Sequence, residues 1–446
     1  MGSFYIENFG CRATQADGAA VERQFLDRGM ERAEAACHAE IVVLNTCTVT
    51  AAADQDARAY IRRIQRENPT ATIVVTGCYA QRAPEELAKL PGVSLVVGNS
   101  HKHQLAEIAT HTTLVPLQSL AAGTAAQLFV SDIFAHTELL TAPVFDAANQ
   151  RTRPNLKVQD GCDNRCSFCV IPYVRGQSRS MKLEQVIREV NGLTAAGYRE
   201  LVISGINLGR WGRDLTPEQH FEDLVQTILD RTSLQKLRIS SVEPMDWSQE
   251  LIALVAGSSR IAKHAHVPMQ SGSDAVLRRM HRKYRPWHYR EKIETIRAAM
   301  PTAAIGADVM VGFPGETDAE FEETRNMVDQ LPFTYLHVFT YSARPGTPAA
   351  AASDQVPVRV ARVRNRVLRD LAEEKKSAFM QSCVGKAVEG ITLNMGEGEF
   401  AEALTDNYLK LRLPGKQEPN RWVTARVEWV DGGILIAEGC SNQDRQ

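Results

Sequence analysis

Three cysteines stand close together near the middle of the chain, in the run Gly-Cys-Asp-Asn-Arg-Cys-Ser-Phe-Cys. Cys162, Cys166 and Cys169 have the spacing C-x-x-x-C-x-x-C, and no fourth cysteine follows in the same segment. Structural zinc sites and electron-transfer iron–sulfur clusters are normally closed by four protein ligands. Three thiolates on a four-iron cluster leave one iron open, so the spacing predicts a cluster that does chemistry. A zinc site completed by a distant histidine, a disulfide with a spare thiol, and a chance grouping are the alternatives.

A second cysteine triad is dispersed over the first 80 residues. Cys11, Cys47 and Cys78 each follow a short apolar run typical of a buried strand, and helical patterns separate the runs. The order β-α-β-α-β implies a parallel sheet, in which the carboxyl ends of the strands share one edge. The three thiols should therefore converge there and form another open cluster site. The alternative is three buried cysteines that act as small hydrophobic residues.

The composition describes a globular chain. With 446 residues, 44% of them hydrophobic and 23% charged, about three domains are expected. No apolar run approaches membrane-spanning length and the first strand begins at about Phe4, so we expect no signal peptide and a cytoplasmic location. Cys37, Cys383 and Cys440 remain outside the triads and fit a reducing compartment. The net charge of −2 means that any nucleic-acid contact must come from local patches.

The pattern of elements predicts an α/β fold with an added all-β module. A parallel-sheet α/β domain should occupy residues 1–110, followed by a connector at 111–150 and a partial six-stranded (β/α) barrel at 151–379. The barrel strands are expected at Asn155–Val158, Leu201–Ser204, Lys236–Ser240, His264–Val267, Ala304–Val309 and Tyr335–Thr340. Short strands with turn residues between 380 and 440 predict a small all-β barrel. The expected strands are Ala387–Leu393, Phe400–Leu404, Tyr408–Leu413, Val423–Val430 and Ile434–Glu438.

The cysteine spacing resembles that of the radical S-adenosylmethionine (SAM) enzymes, in which the open iron binds SAM and an electron splits it to a 5′-deoxyadenosyl radical. With the second triad, the barrel and a C-terminal module that resembles an RNA-binding TRAM domain, the chain resembles the radical SAM methylthiotransferases over nearly its whole length. Residues 45–50, 76–81 and 156–164 are similar to the branch that modifies N6-threonylcarbamoyladenosine at position 37 of tRNA.

This resemblance implies two [4Fe-4S] clusters as cofactors, with the six triad cysteines as metal ligands and catalytic residues. The cluster on Cys11, Cys47 and Cys78 would carry the sulfur, and SAM would serve as methyl donor and radical source. The implied partners are the tRNA anticodon stem-loop and an electron donor such as a flavodoxin. Enzymes for isopentenyladenosine in tRNA, or for an aspartate of a ribosomal protein, are the closer alternatives. A two-cluster electron carrier and an RNA-binding protein are the alternatives from other classes.

Small and polar residues follow several predicted barrel strands, at the edge where such barrels bind ligands. Glycine there allows the backbone to approach a ligand, and hydroxyl or carboxylate groups suit a ribose or an ammonium group. Ordinary capping of the next helix is the alternative for the polar residues, and a core role is the alternative for the one aromatic residue. The candidate SAM contacts are Phe168, Ser204, Gly205, Asn207, Ser241, Glu243, Gln270 and Asp308.

Two basic segments are candidates for RNA contact. In residues 278–289, arginines alternate with Tyr284, Trp287 and Tyr289, which could stack on bases. Residues 359–369 hold five arginines on one predicted helix. A solvated helix face and a salt-bridged connecting helix are the respective alternatives.

Overall fold

The computed structural model describes residues 2–111, 126–135, 139, 153–393 and 400–442. Its described residues form two compact units. The first unit draws on Met1–Val144, Asn155–Met181 and Ser342–Ala350, and the second on Phe145–Pro154, Lys182–Tyr341 and Ala351–Gln446. No helix in the described part is long and apolar enough to cross a membrane.

The described strands are numbered here in chain order. They are β1 Ser3–Asn8, β2 Glu31–Arg32, β3 Ile41–Thr46, β4 Thr72–Gly77, β5 Val93–Val97, β6 Gln127–Phe129, β7 Asn155–Lys157, β8 Gln159–Asp160, β9 Arg179–Ser180, β10 Glu200–Ser204, β11 Lys236–Ile239, β12 His264–His266, β13 Ala304–Val311, β14 Tyr335–Thr340, β15 Ala387–Thr392, β16 Phe400–Thr405, β17 Lys410–Pro414, β18 Trp422–Arg426, β19 Trp429–Asp431, β20 Ile434–Ile436 and β21 Cys440–Asn442.

The α-helices alternate with most of these strands. They are Arg12–Leu26, Ala51–Glu67, Cys78–Arg82, Pro84–Ala88, Leu105–His111, Ile171–Arg175, Leu183–Ala195, Phe221–Arg231, Gln249–Gly257, Asp274–Arg279, Pro286–Ala299, Asp318–Gln330, Pro348–Ala351 and Val358–Gln381.

The first unit contains a parallel sheet with the strand order β2-β1-β3-β4-β5-β6. Successive residues of its strands point to opposite faces, and both faces are covered. Val42 and Leu44 pack into the core on one face, whereas Val43 packs with Phe4 and Phe25 on the other. The expected parallel sheet is therefore present. Strand β6, which lies within the segment expected to be only a connector, extends it beside β5.

The second unit continues the strand–helix alternation. Strand β10 pairs in parallel with β11, and β12, β13 and β14 pair in parallel with one another. A parallel bridge between Leu237 and Ile261 joins the two groups. The predicted architecture, an α/β chain with a C-terminal β module, is thus confirmed.

The C-terminal module is a seven-stranded mixed sheet in the order β19-β20-β17-β16-β15-β18-β21. The single strand expected at Val423–Val430 is divided into β18 and β19, because the backbone of Val427 pairs with Gly385 and Lys386 instead of continuing the strand. The strand expected from Tyr408 begins at Lys410, since Tyr408 has a φ of 64° and closes a turn onto Thr405. Strand β21 was not anticipated.

This module is attached at the amino ends of β10 and β11. The guanidinium of Arg238 is 2.5 Å from Glu200 and donates hydrogen bonds to the carbonyl oxygens of Thr405 (2.8 Å) and Asp406 (3.0 Å). Lys236 lies 2.9 Å from the Asp406 carboxylate. The C-terminal sheet therefore lies at the strand edge opposite to the carboxyl ends, where the candidate SAM residues were expected.

Candidate active site

Cys11, Cys47 and Cys78 follow β1, β3 and β4, which are adjacent strands of the first unit's sheet. Each cysteine begins the turn or helix that leaves its strand. The helix after β1 starts at Arg12, so Cys11 is its N-cap residue. The buried stripe of this helix begins at Ala13, directly after the cysteine.

The three thiols are close enough to influence one another. Burial, together with the neighbouring charges of Cys78 and Cys11, raises the pKa of the Cys47 thiol to about 12. The close approach depends on Gly10, because a β-carbon there would lie 2.6 Å from the β-carbon of Cys47. A metal or cluster that binds Cys47 must therefore displace a tightly held proton.

A buried ion network holds the segments after the second and third cysteines. The Asp54 carboxylate accepts a hydrogen bond from Thr48 (2.6 Å) and pairs with Arg82 (3.0 Å) and Arg344 (2.8 Å). Arg82 also donates to the Thr48 hydroxyl at 2.7 Å. Thr48 follows Cys47 and Arg82 ends the helix that begins at Cys78, so this network fixes two cysteines relative to one another.

Cys162, Cys166 and Cys169 lie on the segment between β8 and the helix Ile171–Arg175. The Cys162 amide donates to the carbonyl of Gly176 at 3.1 Å. Gly161 has a φ of 73°, and a β-carbon there would lie 1.9 Å from the Gln177 carbonyl oxygen. Only glycine fits this position, which brings the start of the cysteine segment against the chain that closes it. Phe168 is half-buried on the same segment.

Five buried charged side chains connect the two cysteine regions of the first unit. Asp17 contacts Lys157 and pairs with Arg175 at 2.9 Å and Lys102 at 3.2 Å. Asp160 pairs with both Lys157 and Arg175 at 2.9 Å. Burial opposes ionisation of Asp17, but Arg175, Lys102 and Lys157 outweigh it and lower its pKa to about 2. Burial likewise opposes ionisation of Asp160, but Arg175 and Lys157 outweigh it and hold its pKa below the usual range, so both carboxylates are ionised at neutral pH.

This group contains three cations and two carboxylates, and a fourth cation, Arg179, lies 3.8 Å from Asp160. It therefore holds at least one surplus positive charge in a region that water barely reaches. Burial opposes the charge on Arg175, yet Asp160, Asp17 and the thiols of Cys78 and Cys11 together raise its pKa. A buried charge is stable only when it is paired. A four-iron core with three thiolate ligands is a net anion, so the surplus cation suits such a cluster next to Cys78.

Among the described residues, His266, Asp308 and His337 form a group of three potential metal ligands whose ligand atoms all lie within 4.8 Å of one another.

In the second unit, the candidate SAM residues gather at or near the carboxyl ends of β10 to β13. Ser204 is the last residue of β10, and its buried hydroxyl has no hydrogen-bond partner among the described residues. Gly205 and Asn207 follow it, Ser241 and Glu243 follow β11, and Gln270 lies beyond β12. Gln270 has a φ of 62°, an unusual conformation for a residue with a side chain. A buried free hydroxyl and a strained backbone are features of ligand sites.

Two candidate carboxylates already have protein partners. Glu243 contacts Arg282, and Asp308 pairs with His266 at 3.1 Å and His337 at 3.2 Å. Burial disfavours ionisation of Asp308, but the hydrogen bonds from His266 and His337 outweigh it and hold its pKa below the usual range. Both side chains are thus fixed in place before any ligand binds.

The first basic segment does not offer the expected stacking surface. Tyr284 and Tyr289 are fully buried and donate their hydroxyl protons to the backbone of Met269 and Val267, respectively. Trp287 alone of the three rings is exposed. The expectation that the three rings stack on RNA bases is therefore wrong for the two tyrosines, because they fill the core beneath β12.

The helix Val358–Gln381 keeps most of its arginines on the surface. Arg364 is buried and pairs with Glu316 and Asp318. Four other arginines are exposed and form no ion pair with any described residue; they are Arg359, Arg362, Arg366 and Arg369. Their spacing of three and four residues places them along one side of the helix. This stripe is a stronger candidate for RNA contact than residues 278–289.

Sequence reasoning missed the buried ion network around Asp17. A usable signal existed, since Asp17 lies in an apolar helix stripe and Lys157 interrupts a strand. The three cations that pair with Asp17, however, lie 85, 140 and 158 residues from it along the chain. No local pattern could have joined them.

Comparisons with known proteins agree with this arrangement. The description "Radical SAM superfamily" matches residues 156–328, and "Uncharacterized protein family UPF0004" matches residues 3–98. The fold is similar to that of the radical SAM methyltransferase TsrM from Kitasatospora setae, with a TM-score of 0.57 and 16% identity over 78% of this chain and 74% of that one. Fold and cysteine segment thus define a radical SAM protein.

Sequence relatives narrow the class further. The chain is 35% identical to the threonylcarbamoyladenosine tRNA methylthiotransferase MtaB of Aquifex aeolicus, over 95% of this chain and 99% of that one. It is 31% identical to the tRNA-2-methylthio-N(6)-dimethylallyladenosine synthase of Bacillus velezensis, over 98% and 86%. The chain belongs to the radical SAM tRNA methylthiotransferases. It is an enzyme that acts on tRNA and uses SAM and a [4Fe-4S] cluster.

Proposed function

We propose that this enzyme adds a methylthio group to carbon 2 of N6-threonylcarbamoyladenosine at position 37 of tRNA, and that it does so with two [4Fe-4S] clusters. The observation that carries the two-cluster proposal is the surplus buried cation between two open cysteine triads in one compact unit. The choice of nucleoside rests on residues 45–50, 76–81 and 156–164 and on the names of relatives such as the Aquifex aeolicus protein.

Cys162, Cys166 and Cys169 would hold the cluster that binds SAM, and Cys11, Cys47 and Cys78 would hold the other. When bound, the first cluster supplies the electron that cleaves SAM, and the second supplies the sulfur for transfer. The protein's own contribution is electrostatic. Lys102 and Arg175 place positive charge beside anionic ligands, and the Asp54 network keeps the cysteine segments at a constant spacing.

In the second unit, we propose that Ser204, Gly205, Asn207, Ser241, Glu243 and Gln270 contact SAM. Ser204 has a hydroxyl without a described partner, and Gly205 allows close approach of the backbone. Phe168 of the first unit remains a proposed apolar contact of the adenine. Asp308 contributes to the site by orienting its two histidine partners, since its carboxylate is already hydrogen-bonded to both of them.

For tRNA docking, we propose the arginine stripe Arg359–Arg369 together with the C-terminal sheet. The helix Val358–Gln381 is about 36 Å long at 1.5 Å per residue. Asn365 contacts the middle of β14, whereas Lys375 contacts Leu331, which precedes that strand. The helix therefore runs from the carboxyl edge of the strands to their amino edge, where the C-terminal sheet is attached. Cations along it would follow the backbone of a bound anticodon stem-loop.

The test uses anaerobically reconstituted enzyme, a strong reductant such as dithionite or a flavodoxin, SAM, and tRNA carrying either threonylcarbamoyladenosine or isopentenyladenosine. After digestion, mass spectrometry of the nucleosides should detect the methylthio product only from the first tRNA. We expect about eight irons per chain, of which replacing Cys11, Cys47 and Cys78 by Ala should remove half.

That triple variant should still cleave SAM but make no methylthio product, whereas replacing Cys162, Cys166 and Cys169 should abolish cleavage. Cys37→Ser, at an exposed cysteine outside both triads, is the matched control and should behave as wild type. Product from the first triple variant would contradict the two-cluster proposal. If the enzyme instead converts the tRNA that carries isopentenyladenosine, the proposed substrate is wrong and isopentenyladenosine takes its place.

A further inference from the structure

A chain of hydrogen bonds crosses the face of β12, β13 and β14 in the second unit. The register of the sheet places Asp308 opposite His337, and Gly306 opposite both His266 and Tyr335. The Tyr335 ring lies over Gly306, where a β-carbon would be 1.9 Å from the ring. Because position 306 has no side chain, the Tyr335 hydroxyl reaches His264 at 2.6 Å and His266 at 2.9 Å.

The direction of these hydrogen bonds follows from Asp308. An ionised carboxylate only accepts, so His266 donates from Nε2 and His337 donates from Nδ1 to the same Asp308 oxygen. Tyr335 can then donate to Nδ1 of His266 and accept from Nε2 of His264. Asp308 thereby sets the orientation of the His337 ring and leaves its Nε2 edge for another partner.

The outer end of this chain is open. The His337 side chain keeps 57% of its surface exposed. Two residues farther along β14, and therefore on the same face, Phe339 is 47% exposed, with its ring centroid 6.4 Å from that of His337. An exposed aromatic ring beside an oriented imidazole is a combination that binds nucleobases, by stacking and by hydrogen bonding.

We infer that His337 is a specificity-determining residue that binds the carboxylate of the amino-acid arm on the substrate base, with Asp308 as its positioning residue and Phe339 as a stacking surface. This inference rests on the proposed function, because only a threonylcarbamoyl arm carries a carboxylate. Once the arm is bound, the ring lies between two carboxylates and carries a proton on each nitrogen, so the outward Nε2–H donates to the arm. An isopentenyl arm has no group that could accept this hydrogen bond.

The test compares synthetic anticodon stem-loops that carry the threonylcarbamoyl acid, its threonine amide or an isopentenyl group. His337→Gln keeps a polar side chain of similar length but removes the cation. A hydrogen bond between two charged groups is lost, so kcat/KM for the acid should fall roughly 10- to 100-fold. For the neutral amide it should hardly change. Asp308→Asn should reduce the ratio of acid to amide turnover in the same direction, because the ring loses its orientation.

His38→Gln, at an exposed histidine of the first unit, serves as the control and should leave both rates unchanged. Because His337 is exposed, its variant should fold, which iron content and melting temperature will verify. Equal losses on acid and amide, or none on either, would overturn the inference. The inference would also be overturned if the wild-type enzyme held a stoichiometric metal ion in addition to the cluster iron and His337→Gln removed that ion. The His337 side chain would then be a metal ligand. If wild-type enzyme converts only the isopentenyl stem-loop, the proposed function itself has failed.

Discussion

Replacing Asp17 by Asn should strongly destabilise the first unit. The substitution keeps the shape of the side chain but removes the carboxylate shared by Lys102, Lys157 and Arg175. Asp160 still pairs with Lys157 and Arg175, so the main loss falls on Lys102. In the variant, the Lys102 ammonium can still donate to the new amide at position 17 and to the amide oxygen of Asn45, which lies 3.1 Å away. Neither of these described acceptors carries a negative charge.

Two estimates of the cost agree. Removing one partner of a buried ion pair typically costs about 3–5 kcal/mol. Lys102 can instead release its proton, and burial already lowers its pKa. Deprotonating a lysine with an ordinary pKa near 10.4 at pH 7 costs roughly 4.6 kcal/mol, at about 1.36 kcal/mol for each pH unit, which sets an upper limit to the penalty. We therefore expect a loss of about 3–4.6 kcal/mol.

The assay is thermal unfolding of the metal-free protein at pH 7, followed by circular dichroism. A domain of this size loses about 2–4 °C for each kcal/mol, so the melting temperature should fall by roughly 6–18 °C. Glu22→Gln is the control on the same helix, because Glu22 forms a partly exposed ion pair with Arg32, worth about 0–1 kcal/mol. If Asp17→Asn melted within a degree of Glu22→Gln, the argument for a surplus buried cation would be wrong.

Three further predictions follow from the charged groups. Because folding lowers the pKa of Asp17, its contribution to stability is complete above the unfolded-state pKa near 3.9 and disappears as the pH falls through about 2. The difference in melting temperature between wild type and Asp17→Asn should therefore narrow between about pH 4 and pH 2. A difference that stays constant over this range would contradict the prediction. Glu200→Gln leaves Arg238 buried without its carboxylate and should cost the second unit about 3–5 kcal/mol in unfolding experiments, whereas Glu184→Gln at an exposed pair should have no measurable effect. Arg366→Ala should reduce the slope of log affinity for tRNA against log salt by roughly 0.7–0.9, measured by fluorescence anisotropy, if that side chain contacts a phosphate; an unchanged slope would place the RNA path elsewhere.

The sequence by itself determined the parts of this protein that depend on neighbours along the chain. Cys162, Cys166 and Cys169 share one segment, so their spacing alone indicated an open cluster. Alternation of apolar strands with helices predicted a parallel sheet, and a parallel sheet brings Cys11, Cys47 and Cys78 to one edge. These inferences needed only local periodicity and the geometry of parallel strands.

The tertiary structure decided what depends on burial and on contacts between distant residues. Tyr284 and Tyr289 look like stacking rings in the sequence, but their hydroxyls are satisfied inside the core. Asp17 finds its cations more than 80 residues away, and His337 meets Asp308 only through the register of two neighbouring strands. A one-residue shift of that register would place the pair on opposite faces of the sheet. Electrostatic partners act through space, so only the folded chain assigns them.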